Sequence, residues 1–183
     1  FPAVGLVGIL AADAALNMPD FRAAERTFAL ITQMVGRGGR DATITQAVIQ
    51  SYQPQHPALR YGAQQNYQAF YDSELPLRRE LQYPPFWRLV RIVVSGSNQS
   101  WVQRTATDCA ERLQSIVETQ YRGTLLGPAP AAITHLEARW RWHLVLKLPL
   151  SLQPGRVIDD ALKDQLRLDG IHVAVDVDPV SML

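Results

Sequence analysis

The run Arg139-Trp140-Arg141-Trp142-His143-Leu144-Val145-Leu146-Lys147 alternates without a break. A period of two marks a half-buried strand, because successive side chains point to opposite faces of a sheet. Trp140, Trp142, Leu144 and Leu146 fall on one face; Arg139, Arg141, His143, Val145 and Lys147 fall on the other. The first face belongs to a core, and the second is basic. At roughly 3.3 Å per residue the basic stripe is about 25 Å long. That length suits several phosphates or an acidic peptide, and it also suits a solvated sheet face that is merely cationic.

The neighbouring sequence says what sheet this strand belongs to. From Pro85 onward the pattern predicts a strand (86–95), a helix (100–119), a short strand (124–126), the alternating strand (139–148), a helix (156–168) and a strand (171–177). Val102, Ala106, Cys109, Leu113, Ile116 and Val117 line one face of the first helix behind a Ser100 or Asn98 cap. Cys109 therefore reads as a core residue and not a catalytic thiol. The order βαββαβ predicts a ferredoxin-like α+β domain, an antiparallel sheet with both helices on one face.

The first half reads differently. Residues 4–10 are apolar without alternation, as in a strand buried on both faces of a parallel sheet. Asp13, just beyond that strand, either faces a ligand crevice or starts a loop. Asp20 is positioned to cap a helix whose apolar residues Phe21, Ala24, Phe28, Ile31 and Val35 repeat at helical spacing, with Gly36 at its end. A closing strand (47–52) and a Pro54 to Pro57 boundary follow. Tyr67, Phe70, Tyr71, Leu75 and Leu81 then mark a linker helix, bent or divided at Pro76, whose aromatics serve packing or base stacking. The expected organisation is thus 1–57, a helical linker 58–82, and a self-contained domain 83–183.

The segment Gln33-Met34-Val35-Gly36-Arg37-Gly38-Gly39-Arg40 sets two arginines among three glycines. Glycines let backbone approach a ligand closely, and guanidinium forks there can grip phosphate oxygens. A solvated Gly/Arg turn is the plain alternative. Bulk charge does not decide, since residues 1–82 carry seven basic and seven acidic side chains and residues 83–183 eleven and ten. Any polyanion must meet a local patch. A single cysteine leaves no intrachain disulfide and no cysteine-built zinc site within these residues. His56, His135 and His172 have no partners at metal-ligand spacing, so no metal is assigned, and Asp176 and Asp178 read as turn residues. No apolar run approaches membrane-spanning length, and the expectation is a cytoplasmic protein without a membrane partner.

The spacing Q-x-x-G-R-x-G-R resembles motif VI of superfamily 2 helicases. The string Pro19-Asp20-Phe21-Arg22-Ala23, with Glu25-Arg26-Thr27-Phe28 through Arg40, resembles the PriA (primosomal protein N′) family of replication-restart helicases. So do Tyr83-Pro84-Pro85-Phe86, Leu126-Gly127-Pro128-Ala129-Pro130, Arg139-Trp140-Arg141-Trp142 and Asp176-Val177-Asp178-Pro179-Val180-Ser181, in family order. The resemblance implies that residues 1–57 are part of a second RecA-like motor lobe, with Phe1-Pro2 at the tail of motif V. Gln33, Gly36, Arg37 and Arg40 would then approach ATP and its Mg, with Arg40 as arginine finger and Arg37 as its partner. Gly38 stands where the family usually has Ala.

The resemblance also implies a C-terminal domain that binds forked and single-stranded DNA, the acidic, phenylalanine-ending tail of single-stranded-DNA-binding protein, and other primosome proteins near the nucleoid. Arg139, Arg141, His143 and Lys147 would carry those contacts, with Arg139 and His143 at the tail pocket. His143 replaces a Gln common in relatives. No G-x-x-x-x-G-K-[ST] loop is present in these residues, so they do not complete an ATPase site, and the family's zinc-binding cysteines are absent from them. The competing expectation is a non-catalytic module that binds forks and partners without hydrolysing ATP.

Overall fold

A computed structural model describes residues 5–36, 46–163 and 170–182. The chain divides into two compact units, residues 1–77 and 78–183.

In the first unit, β1 (Leu6–Ile9) is followed by the short α1 (Asp13–Leu16), α2 (Ala23–Val35), β2 (Gln46–Ile49) and α3 (Pro57–Ala63); α4 (Tyr67–Glu80) runs across the boundary between the units. β1 and β2 pair in parallel, Leu6 with Gln46 through Ile9 with Ile49. The expectation of a strand buried on both faces is corrected: Ile9 is buried, but Leu6 is 62% exposed. Ile9, Ala12, Ile31 and Leu59 form one small core, and Phe28, Ala58 and Phe70 another. Phe28 and Phe70 stack at 4.4 Å, so Phe70 is a packing residue, whereas Tyr67 is exposed.

Asp13 anchors a loop. Its carboxylate accepts hydrogen bonds from Ser51 Oγ (2.5 Å), Tyr52 N (2.8 Å) and Gln53 N (3.1 Å), which hold its pKa below the usual value. A carboxylate with three donors is satisfied internally. Asp20 does not cap α2 as expected. The N-cap is Arg22, whose N–H bonds to Asp20 Oδ1, while the other Asp20 oxygen pairs with Arg26 at 3.1 Å. The stretch expected as one helix from 58 to 81 is two, broken at Gln64 to Asn66 and not at Pro76. Gln65 adopts φ 52°, Asn66 Oδ1 accepts from Ala69 N to start α4, and Pro76 stays inside that helix.

The second unit has the expected order: β3 (Trp87–Gly96), α5 (Gln99–Val117), β4 (Thr124–Leu136), β5 (Arg139–Pro149), α6 (Pro154–Leu162) and β6 (Ile171–Val177). The strands lie in the order β4-β5-β3-β6 with every neighbouring pair antiparallel. β3 and β4 therefore run parallel with β5 between them, and β5 and β6 run parallel with β3 between them. These are two interleaved split βαβ units, the α+β arrangement that the element order implies.

Asn98 is the α5 cap, accepting from Trp101 N at 3.1 Å. Val102, Ala106, Cys109, Leu113 and Val117 from α5 meet Val157, Ile158 and Leu162 from α6 and the inner-face residues Val90, Ile92, Val94, Trp142, Leu144 and Leu146. Burial pushes the Cys109 thiol up to about 11, which suits a core residue. β4 is longer than the three residues expected. It accommodates Pro128 and Pro130 because it is an edge strand, with register shifts between Leu126 and Ala129 and between Pro130 and His135.

Candidate nucleic-acid and partner interface

The inner face of β5 is fully committed to the core, so its odd-numbered residues occupy the outer face of the sheet. Cross-strand pairing arranges that face in rows. Arg141 lies beside Ser95, which in turn lies beside His172; His143 lies beside Val93 and then Ala174; Val145 lies beside Arg91 and then Asp176; Lys147 lies beside Leu89.

Two segments close one end of this face. Lys147 is only 8% exposed; its ammonium donates to the Leu81 carbonyl oxygen at 2.7 Å and sits 4.1 Å from the centre of the Tyr83 ring. Burial lowers its pKa. The residue expected to continue the solvent-facing stripe thus faces protein. Beyond β6 the chain turns back over the sheet: Asp178 N donates to the Leu89 carbonyl, Asp178 pairs with Arg88 at 3.2 Å, and Arg91 Nη1 donates to the Ser181 carbonyl at 3.4 Å. Arg91 is 6% exposed.

At the other end the face is open. Arg139 is exposed at the start of β5, directly after the turn made by Glu137 and Ala138, both at positive φ. Arg141 is half-buried, and its Nη1 reaches the Ile133 carbonyl of the β4 irregularity at 3.4 Å. His143 is half-buried between Arg91 and Arg141. Its pKa is lowered by burial first and then by the two guanidiniums, and its Nδ1 is buried without a hydrogen-bond partner. Behind it, Gly127 at φ 94° brings β4 so close that a Cβ there would lie 2.8 Å from the His143 carbonyl oxygen.

Arg139, Arg141 and His143 thus span about 13 Å of open strand. The two guanidinium forks suit an anion chemically, with the half-buried His143 beside them. Arg91 was missed by the sequence reading, although a lone cation within the apolar run Leu89 to Val94 is itself a signal.

The ATP-facing candidates lie in the first unit. Gln33 is exposed near the end of α2 and Gly36 is its C-cap; Arg37 and Arg40 lie outside the described residues. Among the described residues, no group of three or more His, Cys, Asp or Glu could hold a metal ion, and no helix is long and apolar enough to cross a membrane.

Fold and face together define the second unit as a small α+β domain with one sheet face under helices and the other partly open and cationic. The family profile of the primosomal protein N C-terminal domain matches residues 79–180, and the chain belongs to that family. Replication restart protein PriA of Synechocystis is 37% identical over 98% of this chain and 21% of its own length. The proteins of the same name from Bacillus subtilis and Treponema pallidum are 33% and 37% identical over the whole chain, which covers 23% and 28% of them. The chain spans about a quarter of the length of these relatives and corresponds to a C-terminal portion of a replication restart protein.

Proposed function

We propose that this chain contributes the C-terminal part of an ATP-dependent DNA helicase for replication restart, and that Arg139, Arg141 and His143 form its contact with forked or single-stranded DNA and with the acidic tail of single-stranded-DNA-binding protein. The observation that carries this reading is the open end of the outer sheet face. It gathers two arginines and a histidine within a chain whose net charge is only +1. Phosphates and a terminal carboxylate ask for the same forked donors, so one face can serve DNA and an acidic peptide by turns. Lys147 is not part of this surface, because its ammonium is engaged within the domain.

In the longer protein, ATP with its Mg would supply the energy for strand separation. Gln33 and Gly36 would lead the chain from α2 towards that nucleotide, with Arg37 and Arg40 offsetting charge that develops on the transferred phosphoryl group. Work at a fork places the protein in the cytoplasm among primosome partners.

Fluorescence anisotropy of a labelled fork, titrated with the chain at rising salt, tests the interface. Two phosphate contacts give a slope of log affinity against log salt near about −2, and Arg139→Ala or Arg141→Ala flattens it by about 1. Binding that is absent at low salt, or slopes unchanged from the wild type in both variants, removes the DNA contact. In the longer protein, Arg40→Ala should lower DNA-stimulated ATP hydrolysis about tenfold or more, and retained hydrolysis would leave a binding module without a finger.

A further inference from the structure

The first unit grips α2 on its buried side at two levels. Phe28 shares a core with Ala58 and stacks on Phe70; one turn further on, Ile31 shares a core with Leu59 of α3 and Ile9 of β1. Ile31, 1% exposed, is the last buried residue of α2, since Gln33 and Met34 are exposed and Gly36 caps the helix.

At Ile31 the two helices approach closely because α3 has a glycine there. Gly62 lies three residues beyond Leu59, on the same side of α3. A Cβ built on it would stand 3.1 Å from both Cβ and Cγ2 of Ile31 and 3.4 Å from the Phe28 carbonyl oxygen. Carbon atoms in contact normally sit about 3.5 to 4.0 Å apart. Alanine at 62 therefore fits only if α2 and α3 part by a few tenths of an ångström. Glycine is also a poor helix former, so its place within α3 needs a reason, and the close approach supplies one. α3 is itself fixed at its start. His56 Nδ1 accepts from Ala58 N at 3.2 Å, His56 N donates to the Gln53 carbonyl, and Gln53 N donates to Asp13 Oδ1 just beyond β1. The Asp13 carboxylate thus ties α3 to the strand, and Gly62 passes that position on to α2.

We propose that Gly62 is a positioning residue for ATP hydrolysis, because its contact with Ile31 sets where the C-terminal end of α2 stands. The inference rests on the reading of Gln33 and Gly36 as the approach to the nucleotide. Ile31 precedes Gln33 by two residues and Gly36 by five. At about 1.5 Å per residue, only about 3 and 7.5 Å of helix separate the contact from them, so a displacement at Ile31 reaches both. Groups that act on charge as it develops must be placed accurately, and a misplacement of about 1 Å can cost about a hundredfold in rate. A shift of a few tenths of an ångström costs less. The loss falls on turnover and not on the KM for ATP, since the interaction is made in the transition state.

DNA-stimulated ATP hydrolysis by the longer protein tests this, with Gly62→Ala and Arg40→Ala made singly and together. Gly62→Ala should lower kcat about threefold or more while the KM for ATP stays within about twofold. Alanine favours the helical state of α3, which offsets the crowding, so the variant should melt within a few degrees of the wild type. In the Arg40→Ala background the same change should cost less than about twofold further, because the group it helps to place is gone. A merely structural contact would cost the same factor in both backgrounds. Unchanged kcat in Gly62→Ala, an equal loss in both backgrounds, a rise in KM in place of the loss in kcat, or a variant that does not fold would each overturn the positioning role. The finger reading would still stand in those cases if Arg40→Ala alone lowers hydrolysis. Hydrolysis retained in Arg40→Ala would overturn that reading, and the role of Gly62 with it.

Discussion

The Lys147 ammonium donates to the Leu81 carbonyl oxygen at 2.7 Å while lying over the Tyr83 ring, and so ties the start of the second unit to its central sheet. Lys147→Met keeps the aliphatic stem and removes the donor, leaving a carbonyl without its partner. We expect a loss of about 1 to 3 kcal/mol in chemical denaturation. The salt slope of DNA binding should stay as in the wild type, because this cation does not face solvent.

His143 should make the second unit acid-sensitive. Its pKa in the folded chain lies below the ordinary value of about 6.5, so the unfolded chain takes up a proton first as pH falls. Stability is therefore fully present above about pH 6.5 and declines below it, until the folded-state pKa is passed. His143→Gln should flatten that decline. His56, in the first unit, is also lowered by burial. Tryptophan emission separates the two, since Trp87, Trp101, Trp140 and Trp142 all belong to the second unit.

Gly127→Ala should damage both the fold and the face. A φ of 94° disfavours any Cβ, and the new carbon would lie 2.8 Å from the backbone oxygen of His143. A destabilisation of about 1 to 3 kcal/mol follows from the strained conformation. Fork affinity should fall with it as β4 is pushed off β5. A melting curve with a binding titration on the same sample checks both, and an unchanged melting temperature would contradict the close approach.

Much of the second unit was legible because its signals are local. The alternation of Trp140, Trp142, Leu144 and Leu146 assigned the inner face of β5, and the helical spacing from Val102 to Val117 assigned the buried side of α5. Element boundaries were harder. The strand was expected to end at Leu126, before Pro128 and Pro130, yet an edge strand with register shifts around them accommodates both. Pro76 read as a bend or a break, whereas the interruption falls in the three residues that follow α3, Gln64 to Asn66.

By itself the sequence determined the order βαββαβ, the core faces of β5 and α5 and the resemblance of its motifs to a replication-restart family, because periodicity and motif spacing are properties of neighbouring residues. Tertiary structure alone decided which cations remain available. Lys147 and Arg139 sit on the same face of the same strand, and nothing in the alternation distinguishes them. The difference arises because Leu81 and Tyr83 fold onto one end of the sheet, and the segment from Asp178 to Met182 turns back over the same face. Burial of a charge depends on what the rest of the chain brings to it, and that is a non-local fact.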